Sequence, residues 1–346
     1  MNAARAARAH PLLVVTPERL PVGTLWFKIW SRRQRPIEQK ESVRWLEGYR
    51  QACALACRCP QTQIISVQDA EADVFELPLL AQEKAARGER HAEFIIRAAQ
   101  DRRTDSAEGK LWAELLASPV LGPLSLRLPR REQRAARQAR LDVRAKEVTV
   151  RAPRRGQGPA LADLRLWAVR AKEVDPPSGS QAVEWLLLSS LPATNLEEAI
   201  QIIQGYTCRW EVEIFFRVFK TGCRVERLQF ERDAELVPAF ALYLIVAWRI
   251  LYLTHLGRAA PKLSCAALFE PAEWKSVWVV TKQEAPPPKP PSLKELLALI
   301  ACLGGYKARK GDGEPGPQVL WQGLTRVFDL ALAWQAFGPE KEHGYG

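Results

Sequence analysis

The chain has 346 residues, with 50 Lys+Arg against 39 Asp+Glu and a net charge of +11. That length supports two or three domains with cores of their own, and 47% hydrophobic residues exclude a disordered chain. The excess of positive charge points to a polyanionic partner and says nothing of fold.

The chain opens on an Ala/Arg arm, Met1–Ala9, without the apolar core of a secretory signal. His10–Val15 and Gly23–Trp30 read as strands, and a helix is expected from about 39 to 57 with Val43, Leu46 and Ala54 on its apolar side. Ile64–Asp69 reads as a short buried strand ending in a carboxylate. A helix over about 73–87 should be broken or kinked early by Pro78 and closed by Gly88, and Phe94–Arg97 returns as a strand.

From about 100 to 180 short alternating runs such as Leu141–Arg144 and Val148–Arg151 carry an antiparallel signature. Between Arg127 and Arg155 lie eleven basic and three acidic residues, either phosphate contacts or a solvated loop. Trp185 then opens the apolar strand Leu186–Leu188, as a core residue or as a stacking surface. Asn195 and Glu198 form an N-cap and N3 pair for the following helix, which Gly205 should loosen. In the next stretch Phe215, Val218 and Phe219 supply a buried side, Thr221–Gly222 a stop, and Arg224 and Arg227 further positive charge. The apolar run Leu236–Trp248 is 13 residues long with Pro238 inside, short of the roughly 20 a membrane span needs, and reads as a core helix.

Pro286–Pro291 is a stiff extended linker, and Ser292 with Glu295 caps a helix over Leu293–Leu303. Leu320, Leu324, Val327, Ala331 and Trp334 form a last helical stripe. These two helices should pack on the rest of their own chain or on a second subunit. Seven cysteines, Cys53, Cys57 and Cys59 the nearest together, lack paired C-x2-C spacing. That argues against structural zinc and for reduced thiols in the cytoplasm.

The pattern with the most chemistry is Tyr206, Arg209, Glu213 and Lys220, at offsets of 3, 7 and 14. On one helix these would share a face, where the carboxylate can hold a divalent metal, the two cations phosphate oxygens, and the phenol a hydrogen bond. The plain alternative is a solvated face with Glu213 and Arg217 as an i,i+4 pair. Asp69, at the end of its strand, is either a second metal-facing acid or a helix N-cap.

In this order, Asp69–Asp73 (D-x-E-A-D), Trp185–Leu188, the Tyr206–Lys220 pattern, Leu303–Gly305 and Gly311–Gly316 resemble the insertion-sequence-four family of DDE transposases, over most of the chain. The resemblance implies an α/β fold: an RNase H-like mixed sheet with an inserted antiparallel β domain and a C-terminal helical domain. It places the catalytic core at 1–97 and 184–260, the insert at 98–183, a Pro-rich linker at 261–291 and a dimerisation domain at 292–338. It implies Mg²⁺- or Mn²⁺-dependent cleavage and strand transfer of transposon ends through a two-ion site. In that site Asp69 and Glu213 are the second and third catalytic acids. Tyr206, Arg209, Lys220, Trp185 and Arg97 are DNA contacts by the same resemblance, Trp185 stacking on an extruded base. The family's first Asp and its end-recognition domain have no counterpart before Asp69, so the chain is expected to be truncated at its N-terminus and inactive alone. The alternative is a non-catalytic, DNA-binding and dimerising fragment that inhibits full-length transposase. Its expected partners are double-stranded transposon DNA and a second transposase chain, identical or full-length, with no membrane.

Overall fold

The computed structural model describes residues 7–31, 43–128, 137–154, 160–222, 233–309 and 313–339. The expectations on 1–6, 39–42, 129–136, Arg155, Arg224, Arg227 and Gly311–Asp312 lie outside the described residues. Two compact units emerge, Met1–Leu12 with Trp26–Arg209, and Leu13–Leu25 with Trp210–Gly346. Strands β1 (Ala7–Val15) and β2 (Pro21–Ser31) pair as a hairpin whose tip belongs to the second unit.

The first unit is built on one six-stranded sheet. Its strands are β3 (Ile65–Gln68), β4 (Glu93–Arg97), β5 (Gly122–Leu128), β6 (Arg137–Val150), β7 (Leu164–Glu173) and β8 (Glu184–Ser189), in the order β3-β4-β8-β7-β6-β5. β3 and β4 are parallel and the remaining pairs antiparallel. The helices are α1 (Val43–Arg58), α2 (Glu76–Ala86), α3 (Leu111–Ala117) and α4 (Leu196–Thr207).

Burial along β6 explains how they cover the sheet. Ala139, Leu141 and Val143 are buried on one face, then Val148 and Val150 on the other. Successive strand residues point to opposite faces, so the core changes side along this strand. Val148 and Val150 pack with Phe75, just before α2, Leu79 of α2, and Leu111 and Leu115 of α3. α1 and α2 enclose a neighbouring cluster through Tyr49, Ala52, Leu77, Phe94 and Ile96. α4 packs against β4, β6 and β7.

The expected strands and caps are present, with four differences of local physics. Pro78 sits in the first turn of α2, where its missing N–H costs no intrahelical bond, so it starts the helix rather than breaking it. A Cβ on Gly205 would stand 3.0 Å from Ile95 Cδ1, so this glycine lets α4 press onto β4 instead of loosening it. The strands of the expected insert have no separate sheet, because β7 bonds β8 along Trp167–Lys172 and carries the core sheet outward. The stretch expected as a linker from 261 holds a helix over Pro271–Lys282, and only its last residues run as an extended proline segment.

The second unit is helical: α5 (Trp210–Arg217), a π turn over Val218–Gly222, α6 (Asp233–Ala259), α7 (Pro271–Lys282), α8 (Leu293–Leu303) and α9 (Pro317–Phe337). Glu270 and Glu273 form a reciprocal capping box for α7, and Ser292 Oγ accepts from Glu295 N at 3.2 Å to start α8. Leu253, Phe269, Trp274, Val277, Leu296, Ile300, Leu320 and Val327 make one core, so α8 and α9 pack on their own chain. Val237–Ala259 is long and apolar enough to cross a membrane. In this unit α6 buries Phe240, Leu244, Ala247, Ile250 and Leu251. α8 and α9 cross at glycines, Gly304 against Val319 and Gly323 against Ile300, where the backbones touch.

Candidate functional site

Because β3 and β4 are parallel, both end at one edge of the sheet, and β8, antiparallel to β4, begins there. Asp69 directly follows β3, Arg97 ends β4 opposite Leu187, and Trp185 lies two residues before Leu187. Topology alone brings these three to the edge where open α/β sheets bind ligands.

Of its two expected readings, Asp69 shows the N-cap. Its Oδ1 accepts from Glu71 N at 2.8 Å as the N-cap of the 3-10 turn Ala70–Ala72. Its Oδ2 lies 3.5 Å from Arg209 Nη1, the two side chains being 32% and 23% exposed. The next acid, Glu71, is bonded to Arg44. His10 meets Trp45 edge-on at 4.5 Å. Burial, aided by the charge of Arg44 and opposed by Asp69, pushes His10 down to about 4, so it is neutral at physiological pH.

Asp73, the last residue of the D-x-E-A-D run, has a role that sequence reasoning did not assign. It is buried, accepts from Ala99 N at 2.7 Å and Gln100 N at 2.9 Å, and is ion-paired with Arg102. The carboxylate thereby ties the Asp69 turn to the segment leaving Arg97. No local signal marks it, since its neighbours are Ala72 and Val74 and its partners lie 26 to 29 residues further along the chain.

Tyr206 and Trp185 are buried, 3% and 8% exposed, and meet edge to face at 5.8 Å. Arg97 is exposed.

The expected single helix carrying all four residues of the pattern does not occur. α4 ends in a tightened turn, with Cys208 N bonded to Gly205 O and Arg209 N to Tyr206 O, each at 3.1 Å. Thr207 Oγ1 also takes the Gln204 carbonyl at 2.7 Å, a side-chain bond that competes with the helical ladder. A new helix starts at Trp210, and the π turn shifts the register again before Lys220. Tyr206 and Arg209 thus belong to the first unit, and Glu213 and Lys220, both exposed, to the second.

Within the second unit α5 is held by Glu211, a carboxylate only 2% exposed. His255 Nε2 of α6 lies 2.9 Å from it and Arg19 Nη1 of the hairpin tip 4.0 Å. Arg19 also covers the Trp210 ring at 5.7 Å, and Trp248 Nε1 donates to Pro21 O at 2.8 Å. This anchorage sets which side of α5 is buried and leaves Glu213 outward.

Many cations of the basic stretch are used internally. Arg137 pairs with Glu173, Lys146 with Glu114 and Arg151 with Asp163, and Arg144 donates to Ser118 O. Arg127 and Arg140 stand exposed on one face of adjacent strands, with no carboxylate in ion-pair range among the described residues.

A hard dication needs several oxygen ligands of net negative charge. Among the described residues no three His, Cys, Asp or Glu side chains are gathered to hold one. Around Asp69 the first unit offers one carboxylate matched by a guanidinium, so these residues, as they stand, do not fit such an ion.

Two family models match the chain. The transposase DDE domain covers residues 81–248, which contain Arg97, Trp185, Tyr206, Arg209, Glu213 and Lys220 and begin after Asp69. The Tn5 transposase dimerisation domain covers residues 245–333, which contain α7, α8 and most of α9.

Proposed function

Since the chain belongs to the DDE-type, Tn5-like transposases, we propose that it binds transposon DNA ends as a dimer and that the 346-residue polypeptide does not cut them by itself. The DDE domain implies an RNase H-like fold and a general dependence on divalent metal. In our reading Arg97 and Arg209 hold phosphates and Tyr206 supports the strand. Trp185 stacks on an unpaired base, which requires it to turn out of its contact with Tyr206. By the family resemblance alone, Lys220 is read as a phosphate contact and Glu213 as an acid, each on the second unit by itself. Exposed Arg127 and Arg140 extend the phosphate track along the sheet. In our reading the protein works in the cytoplasm.

The observation that carries this reading is the gathering of Asp69, Arg97 and Trp185 at one sheet edge with Arg209 reaching Asp69. The statement about cutting rests on Asp69 being neutralised by Arg209 rather than grouped with other acids. Of the two metals named for the family, Mg²⁺ and Mn²⁺, neither is favoured by the residues.

A duplex bearing a transposon end should bind with a salt slope that falls by about 1 for each removed phosphate contact among Arg97, Arg127 and Arg209. An unchanged slope for all three variants would reject the assignment. Incubating the chain with Mg²⁺ or Mn²⁺ and a transposon end should give no nick. A nick that Glu213→Ala abolishes would overturn that part.

The match to a dimerisation domain favours a second role. Paired through the outer side of α9, where Phe328 and Leu332 are exposed, this chain would occupy full-length transposase in inactive dimers. Mixing it with an intact relative should lower transposition. Unchanged transposition with no mixed dimer would exclude the role.

A further inference from the structure

We propose that Asp73 is a positioning residue for DNA: it fixes the backbone that carries Arg97, so that the guanidinium meets a phosphate already in place. The inference rests on the reading of Arg97 as a phosphate contact and adds to it what holds that arginine.

Arg97 is exposed and is the last residue of β4, so the strand supports it from one side only. The segment after it is gripped by two neighbours. Ala98 N donates to Leu186 O of β8 at 2.8 Å. Asp73 Oδ2 takes the next two amides, Ala99 N at 2.7 Å and Gln100 N at 2.9 Å. Asp73 Oδ1 holds Arg102, while the Asp73 carbonyl accepts from Arg102 Nη2 at 2.7 Å and Gln100 Nε2 at 3.3 Å. One residue thus clasps Ala99, Gln100 and Arg102 with side chain and main chain together.

The clasp is itself anchored. Asp73 is 4% exposed and closes the 3-10 turn that Asp69 opens, its N–H bonded to Ala70 O. That turn directly follows β3, the parallel partner of β4, so the segment after Arg97 is tied to the strand beside it. A carboxylate suits this place and an amide does not. One oxygen serves two backbone N–H groups and the other a guanidinium, whereas asparagine, of the same shape, turns an NH2 toward one set of donors or the other. A long cationic side chain on a loose backbone must be ordered by its ligand, which weakens binding, and a fixed base removes part of that cost.

The test is a double-mutant cycle on the binding of a short duplex oligonucleotide by the full chain, read as affinity and as salt slope. Asp73→Asn should lower the slope by about 0.9, one phosphate contact, at a temperature where circular dichroism shows the variant folded. Arg97→Ala should weaken binding about tenfold in the wild-type chain and less than about twofold in the Asp73→Asn chain. Arg127→Ala, on β5 at the opposite edge of the sheet, should weaken both chains equally. A purely structural Asp73 would lower the melting temperature and leave the slope and the coupling to Arg97 untouched, and that result overturns the proposal. Arg97→Ala with a wild-type slope removes the underlying reading of Arg97, and the proposal with it. If Asp73→Asn does not fold, hydrogen exchange of the wild-type chain decides. The Ala99 and Gln100 amides should exchange as slowly as that of Ile96 in β4 and slow further together when the duplex is added. Exchange at the rate of an unbonded loop, or exchange that ignores the duplex, overturns the proposal as well.

Discussion

Replacing Gly323 by alanine should destabilise the helical unit by about 2–3 kcal/mol. A Cβ there would lie 1.8 Å from Ile300 O, 2.6 Å from Ile300 C and 2.8 Å from Ile300 Cγ2. Two of those atoms are backbone of α8 and cannot rotate aside, so α9 must retreat by roughly 1.2–1.6 Å to reach ordinary contact. The retreat loosens Leu320 and Val327 from Leu296 and Ile300, in a core where overpacking typically costs about 1–3 kcal/mol and lost burial adds to it. Against this, alanine in a helix interior gains about 1 kcal/mol over glycine. The control is Gly48→Ala in α1, where a Cβ meets nothing within 4 Å and only the gain of about 0.5–1 kcal/mol applies. Urea unfolding followed by circular dichroism and tryptophan fluorescence separates the two. A Gly323→Ala protein as stable as wild type, or a Gly48→Ala protein that loses as much, would refute the close-crossing argument.

Asp73→Ala should cost about 3–4 kcal/mol, because Ala99 N, Gln100 N and Arg102 all lose a buried acceptor, and thermal unfolding would report it. His10 has a folded pKa of about 4 against 6.5 unfolded, so its contribution is complete above pH 6.5 and is lost as pH falls toward 4. Discounted for its partial exposure, the loss is about 1–2 kcal/mol, and His10→Gln should flatten stability over that window in a pH series of urea titrations. Phe328→Glu with Leu332→Glu should weaken self-association at least tenfold in analytical ultracentrifugation while leaving the melting temperature nearly unchanged, since both side chains are exposed.

The strand that delivers Asp69 was legible because its β-branched centre and terminal carboxylate need no tertiary information. The same holds for the caps at Asn195 and Ser292, where Asn195 Oδ1 accepts from Glu198 N at 3.0 Å. The strand ending in Arg97 was legible too, but its place at the sheet edge depends on the parallel pairing with β3. Spacing failed at Tyr206–Lys220, since offsets near multiples of 3.6 fit a straight helix and carry no sign of the Thr207 side-chain bond or of the π turn. α7 was hidden by prolines, although Pro271 is at its first position, where proline favours a helix. The surplus of arginine in β5–β7 looked like a phosphate surface. Partners up to tens of residues away, such as Glu173 for Arg137, become visible only after the strands pair.

β8 is bonded to β4 at three positions, Ile95–Arg97, and to β7 at six, Trp167–Lys172. A shortened version lacking 98–183 would strip the longer of its two flanks. The backbone groups beside Trp185–Leu188 would then have to be met by solvent, at the place where the indole is anchored. The arginine-rich stretch is thus a structural rib of the strand that carries Trp185, and attempts to miniaturise the protein should trim elsewhere.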